Sequence, residues 1–88
     1  MKFLLEAQVD AAKSTGKTRH YSGSRMLATP AFLRIAQIPP DAGYYLLYYD
    51  RSGKEMTDTY HDTIEAAQEQ AAMEFQTVVT DWKVLDAG

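Results

Sequence analysis

His61 is the only histidine of this chain that has acidic residues close to it in sequence. Asp58 and Asp62 lie on either side of it, and Glu65 follows four residues later. Imidazole and carboxylate groups together can bind a metal ion or transfer protons. The spacing matches no specific motif, and a helix cap would use the same acids. We therefore interpret the cluster as structural, and an enzyme centred on His61 is the lesser hypothesis.

Gly16, Lys17 and Thr18 resemble the end of a phosphate-binding loop. That motif needs a glycine five residues before Gly16, where this chain has Ala11. The chain also contains no cysteine, which excludes a disulfide framework, a thiolate zinc site and a cysteine nucleophile. We therefore predict no cofactor, no metal site and no enzymatic activity.

The segment 13–25 is polar, contains glycine and shows no apolar periodicity, so it is predicted to be a long loop. Long loops in small domains often carry function. Four basic residues of this loop are candidate partner-binding residues: Lys13, Lys17, Arg19 and Arg25. They could contact an acidic protein surface or phosphates, so a small nucleic-acid-binding protein with exposed tyrosines as stacking platforms is the alternative function.

Charge is divided unevenly along the chain. Residues 11–40 contain five basic and no acidic residues, whereas residues 41–88 contain ten acidic and three basic residues. The sequence pI of about 5.2 and the acidic second half disfavour nucleic-acid binding. Glu65 and Glu69 lie on one side of a predicted helix that has no lysine to pair with them, which makes them candidates for a docking surface.

Four segments are predicted to be strands. Between residues 3 and 9, apolar Phe3, Leu5, Ala7 and Val9 alternate with other residues, which is typical of a half-buried strand. A short helix running toward Gly16 is the alternative, because several residues here are good helix formers. Residues 31–38 and 44–49 are rich in β-branched, aromatic and aliphatic side chains. Residues 55–61 return after a short glycine-containing connection, so 44–61 is predicted to be a β-hairpin.

One helix is predicted from near Thr63 to near Gln76. Asp62 followed by Glu65 is a variant of the capping box. The apolar residues recur at spacings of three and four and should lie against the sheet: Ile64, Ala67, Ala71, Phe75 and Val78. Residues 82–85, which begin with Trp82, are predicted to be a last strand or an extended tail.

These elements predict a single α+β domain over residues 1–88, with an antiparallel sheet of three to four strands and one amphipathic helix on one face. Residues 1–42 would supply a strand, the basic loop and a strand, and residues 43–88 the hairpin, helix and last strand or tail. Tyr44, Leu46 and Tyr48 then lie on one face of the sheet and Tyr45, Leu47 and Tyr49 on the other, and the helix covers only one of these faces. The segment 1–30, a second copy of the chain or a partner could cover the other face, which makes Tyr45 and Tyr49 candidate partner-binding residues.

The stretch Gly43 to Asp50, then Gly53, then Asp58 to Thr63, with Glu74, Phe75 and Trp82 further on, resembles a pattern in small uncharacterised bacterial proteins. The resemblance covers residues 43–82, about half of the chain. Some of these proteins resemble immunity proteins of toxin systems, which implies binding and neutralising a partner toxin. The resemblance implies a hairpin–helix core and carries no catalytic residue.

The sequence therefore predicts a non-enzymatic protein-interaction module, with inhibition of the immunity type as one form and a protein partner or self-association as the binding event. The opening apolar run ends at Glu6, which is too short for a secretory signal. The longest uncharged stretches, 26–33 and 42–49, are too short to span a bilayer. We expect a cytoplasmic protein that does not enter membranes.

Overall fold

The computed structural model describes residues 1–10, 21–22, 25–26 and 29–85. Among these residues, one antiparallel sheet contains five strands: β1 (Lys2–Gln8), β4 (Phe32–Gln37), β5 (Tyr44–Tyr49), β6 (Glu55–His61) and β7 (Lys83–Val84). Their order in the sheet is β6-β5-β4-β1-β7. Helix α1 (Ile64–Phe75) packs against β5 and β6. The predicted α+β class is confirmed, and the sheet contains five strands instead of three to four.

Two further strands lie in the segment that was predicted to be a loop. β2 (Tyr21–Ser22) and β3 (Arg25–Met26) pair antiparallel with each other. The predicted loop of residues 13–25 thus contains β2 and Arg25, whereas Met26 lies just beyond it. Strands of two residues are too short to produce a detectable periodicity in the sequence. Residues 11–20 of the basic segment lie outside the described residues.

The predicted hairpin of β5 and β6 is confirmed, and Asp50 organises its connection. One oxygen of the Asp50 carboxylate accepts hydrogen bonds from the backbone N–H groups of Ser52 and Lys54 and from the Ser52 hydroxyl. These bonds, led by that from the Ser52 side chain, lower the pKa of Asp50. Gly53 has a φ of 88°, which a residue without a Cβ adopts without strain.

Helix α1 begins and ends close to the predicted positions, but the predicted capping residue is wrong. Thr63, not Asp62, is the N-cap, and its hydroxyl accepts a hydrogen bond of 3.0 Å from the Ala66 N–H. Both residue types are good caps, so the sequence did not separate them. Gln76 is the C-cap of the helix: it adopts the left-handed conformation with a φ of 57°, and its N–H donates to the Ala72 carbonyl.

The main core lies between α1 and the sheet. The buried residues of this cluster come from β4, β5 and the inner side of α1: Leu33, Ile35, Leu46, Tyr48, Ala67, Ala71 and Phe75. Ile64 and Trp82 pack at its margin. The predicted helix stripe is therefore confirmed except for Val78, which lies beyond the end of α1 and is 58% exposed.

The other face of the sheet carries a second cluster, in which Ala36, Leu47 and Tyr49 are buried. Leu47 is 1% exposed, and Tyr49 is stacked on Phe32 with ring centroids 4.8 Å apart. A register shift between Phe3 and Leu5 places Phe3 against this second cluster, so the predicted alternation is wrong at Phe3. Three rings of this face, those of Phe3, Phe32 and Tyr45, are only partly buried, and self-association stays a prediction.

The side chain of Arg34 packs over the aromatic rings of this second face. The Arg34 guanidinium carbon lies 5.1 Å from the Phe3 ring centroid, 5.3 Å from that of Phe32 and 5.1 Å from that of Tyr49. Arg34 and Glu6 are register partners on β4 and β1, and Arg34 Nε donates to Glu6 Oε1 at 2.9 Å. This hydrogen bond raises the pKa of Arg34. The planar cation thus covers apolar rings and keeps its charge paired.

Candidate partner-binding site

A groove of about 420 Å³ separates the outer side of α1 from the segment that follows it. One wall is formed by helix positions three and four residues apart, and the other by residues of the returning chain. The described residues that line the groove are Glu65, Gln68, Glu69, Ala72, Thr77, Val78, Val79 and Trp82. We call this surface the acidic groove.

Local hydrogen bonds determine the path of residues 77–82, the returning segment that follows α1. After the left-handed Gln76, Val78 is extended, and residues Val79–Asp81 form one 3₁₀ turn. Asp81 Oδ2 accepts a hydrogen bond of 2.8 Å from the Val78 N–H, which holds this turn. The turn leaves Val79 79% exposed beside Trp82, whose indole packs partly on the main core. Val79 and Trp82 therefore form an apolar wall of the groove on a short turn that the Val78–Asp81 hydrogen bond stabilises.

The charge around this apolar wall is negative. Glu65 and Glu69 are exposed, lie four residues apart on α1 and both line the groove. Helix α1 contains no lysine or arginine, so no cation on the helix offsets their mutual repulsion. The groove thus combines exposed apolar side chains with two carboxylates at its rim, an arrangement that suits a ligand with apolar and cationic groups.

Thr77 is the buried polar residue of the groove. It is 8% exposed, and its Oγ1 has no hydrogen-bond partner among the described residues. A buried hydroxyl without a partner destabilises the folded state by about 1–3 kcal/mol. Such groups are rare in folded proteins and call for an explanation.

The residues that the sequence suggested for partner binding are not brought together. Glu65 and Glu69 line the acidic groove, whereas Tyr45 and Tyr49 belong to the opposite face of the sheet. The backbone of Arg25 lies in β3. Lys13, Lys17 and Arg19 lie outside the described residues.

The two tyrosines have intramolecular partners. The Tyr45 hydroxyl donates to Asp41 Oδ2 at 2.9 Å, which raises the pKa of Tyr45, and its ring meets Tyr60 edge to face. Tyr49 is 6% exposed, and burial raises its pKa against the opposing effect of the Arg34 charge. Tyr49 therefore offers little surface to a partner in this conformation, and Tyr60 is the more exposed ring.

The His61 cluster shows no metal-site geometry. His61 Nε2 and Thr59 Oγ1 are 2.7 Å apart, so the imidazole is hydrogen-bonded within its own strand. Asp58 and Asp62 are exposed. Within the described ranges, no three histidine, cysteine or acidic side chains are grouped so that they could hold a metal ion.

The half-buried position of His61 predicts a pH dependence of stability. Burial lowers the pKa of His61, with smaller opposing effects from Glu74 and Asp62. The unfolded chain then binds a proton more readily than the folded protein, so stability falls as the pH decreases below about 6.5. We expect the urea midpoint to fall further between pH ~7.5 and ~5.5 in the parent than in His61→Gln. Equal decreases in both proteins would contradict this assignment.

One acid of α1, Glu74, is buried, and no signal in the sequence indicated this. Glu74 is 2% exposed, and its Oε2 accepts hydrogen bonds from the Tyr48 hydroxyl at 2.5 Å and from Gln70 Nε2 at 3.0 Å. Burial, followed by this bond to Glu74, raises the pKa of Tyr48 far above its ordinary value. The network joins β5 to α1 across the main core.

The sequence analysis also missed the apolar wall of the groove. Val78 was placed in the helix stripe, and Val79 and Thr77 were given no role. Two adjacent valines beyond the last turn of a helix are a weak signal, because exposure depends on the direction in which the chain returns. The glutamates were found because their lack of lysine partners is visible in the sequence.

No family model, curated protein or solved structure matches this chain. Among the residues that the structure describes, no helix has the length and hydropathy needed to cross a membrane.

Proposed function

We propose that this protein is a non-enzymatic protein-interaction module whose acidic groove binds a partner segment with basic and apolar side chains. The observation that carries the proposal is that the exposed Val78 and Val79 and the half-buried Trp82 line one groove with the carboxylates of Glu65 and Glu69. Apolar side chains supply the area that is removed from water on binding. The carboxylates favour a cationic partner and disfavour an anionic one.

Inhibition of the bound protein, as in an immunity protein, is one form that this binding can take. A cysteine-free chain fits a reducing compartment such as the cytoplasm, which we include in the proposal. The basic segment of residues 13–25 keeps nucleic-acid binding as a sequence prediction, and no contact in the described residues adds to it.

Trp82 makes the groove directly observable, because it is the only tryptophan of the chain and it lines the groove. We expect a synthetic peptide of alternating lysine and leucine to change the Trp82 fluorescence, and a glutamate–leucine peptide of equal length to have no effect. Replacing both groove glutamates, Glu65→Gln with Glu69→Gln, should weaken the binding of the basic peptide by about tenfold.

The matched control is Glu55→Gln with Asp58→Asn, which removes the same charge from two exposed residues of β6 outside the groove. This control should bind the basic peptide as the parent does. Equal weakening by both double variants would show nonspecific attraction to an acidic protein and would contradict the proposal. No change in Trp82 fluorescence with the basic peptide would contradict it as well.

A further inference from the structure

Strand β7 is an edge of the main sheet, and it directly follows the acidic groove in the chain. β1 is its neighbour on one side, and no strand of residues 1–10, 21–22, 25–26 and 29–85 lies on its other side. Trp82, which lines the groove, immediately precedes Lys83, the first residue of β7. The groove and this edge of the sheet are therefore continuous along the chain.

The backbone of Val84 points away from β1. The Leu85 N–H donates to the Leu4 carbonyl at 2.9 Å, and the register pairs Val84 with Leu5. Because successive residues of an antiparallel strand turn their N–H and C=O groups alternately to its two sides, Val84 turns both of its groups to the outer edge. The edge therefore offers one donor and one acceptor in the geometry that an added strand uses.

The side chain of Val84 lies on the same side of the sheet as the groove. Its register partner Leu5 packs against the main core, and so does Trp82, which lies two residues earlier in extended backbone. Side chains two residues apart share one face of a strand. Val84 is 77% exposed. The apolar surface of the groove thus continues from Trp82 to the edge of the sheet.

We propose that the partner segment is extended and adds a strand to the outer edge of β7. The inference rests on the proposed function and names the form in which its partner binds. The backbone of the segment exchanges hydrogen bonds with Val84. Its side chains on the groove side, which are every second residue, lie on the apolar surface formed by Val84 and Trp82.

Charge and strand length favour a segment of another protein over a second copy of this chain. A second β7 would supply only two residues. The other edge strand of the sheet, β6, contains Glu55 and Asp58 and no lysine or arginine. A second copy that offered β6 would bring these carboxylates toward Glu65 and Glu69 of the groove, and like charges repel. A segment with apolar and basic residues avoids this repulsion.

Val84→Pro tests the backbone contact. It removes the outward N–H, and it leaves the N–H groups of Lys83 and Leu85, which face β1. Proline is tolerated in an edge strand where the N–H faces outward. We expect the variant to bind the alternating lysine–leucine peptide about tenfold more weakly than the parent, measured by Trp82 fluorescence.

Val84→Thr is the matched variant, because it keeps the N–H and the shape of the side chain. It should weaken binding clearly less than Val84→Pro, since only apolar contact is lost. Unchanged binding by Val84→Pro, or equal weakening by both variants, would overturn the proposal.

Hydrogen exchange of the Val84 amide, followed by ¹H–¹⁵N NMR, tests the contact without a substitution. We expect the bound peptide to slow this exchange by about tenfold or more. An unchanged rate in the peptide-bound protein would overturn the proposal, even if Val84→Pro failed to fold. Slow exchange in the protein alone that becomes faster on dilution would show a second copy at this edge and would overturn it as well.

The conformation of the partner is tested with a second peptide. It has the same lysine and leucine content, but its leucines are spaced three and four residues apart, which favours a helix over a strand. We expect it to bind about tenfold more weakly than the alternating peptide. Equal or tighter binding would overturn the proposal of an extended partner.

The two readouts separate this proposal from the proposed function. If the alternating peptide changes the Trp82 fluorescence without slowing exchange at Val84, the added strand is wrong and binding in the groove stands. If exchange at Val84 slows while the Trp82 fluorescence is unchanged, binding at the edge stands and the proposed function of the groove fails.

Discussion

Replacing Tyr49 by serine is expected to destabilise the protein by about 3 kcal/mol, in the range of other deletions of buried aromatic side chains. Tyr49 is 6% exposed, stacks on Phe32 and lies beneath the Arg34 guanidinium. The substitution removes this stack and leaves a cavity between β5 and the side chains above it. Urea unfolding followed by Trp82 fluorescence measures the loss.

Tyr45→Ser is the matched control, because Tyr45 is the neighbouring tyrosine on the same face of the sheet and is only half-buried. The decrease in the free energy of unfolding should be clearly smaller for Tyr45→Ser than for Tyr49→Ser. Light scattering on both variants and the parent shows whether either tyrosine affects the solution mass. A Tyr49→Ser variant that keeps the parental midpoint but separates a dimer would show that Tyr49 acts between copies, against this prediction.

Tyr48→Phe is expected to lower the free energy of unfolding by about 2 kcal/mol, which is typical of a hydrogen bond to a charged group. The change removes only the hydroxyl that donates to Glu74, while Glu74 stays 2% exposed in the core. A buried carboxylate that loses a donor keeps its full desolvation penalty. The loss is measured by urea unfolding at neutral pH.

A double variant tests whether the loss in Tyr48→Phe comes from leaving the Glu74 carboxylate without its donor. Tyr48→Phe with Glu74→Leu removes the donor and the acceptor together and leaves apolar groups of similar size, which is often close to neutral. We expect the double variant to be more stable than Tyr48→Phe alone. A double variant less stable than either single variant would show that Glu74 stabilises the fold through other contacts, such as that with Gln70.

The four longer strands and the helix could be predicted because their signals are local. The aromatic and aliphatic run of β5, the glycine at position 53 and the stripe of α1 each fix the conformation of neighbouring residues. The N-cap was assigned one residue too early, since Asp62 and Thr63 are both suitable caps. The extra residue between Phe3 and Leu5 was missed because a bulge depends on pairing with β4.

The candidate site was predicted only in part. Glu65 and Glu69 were identified, because residues four apart on a helix lie on the same side and their unpaired charges can be read from the sequence. Val78 was assigned to the core, since its spacing continues the stripe of α1. Gln76 is the C-cap of the helix, however, and the chain turns away. A spacing of three or four residues therefore no longer indicates a shared, buried side beyond Gln76.

The sequence by itself determined the α+β class, the hairpin, the helix and the unpaired glutamates, because these follow from periodicity, turn chemistry and charge within a few residues. The tertiary structure alone decided that Glu74 is buried against Tyr48, that Arg34 covers the second face and that Val79 lines one groove with Glu65. Each of these contacts joins residues from different elements. Their distances depend on how the sheet, the helix and the returning segment pack together.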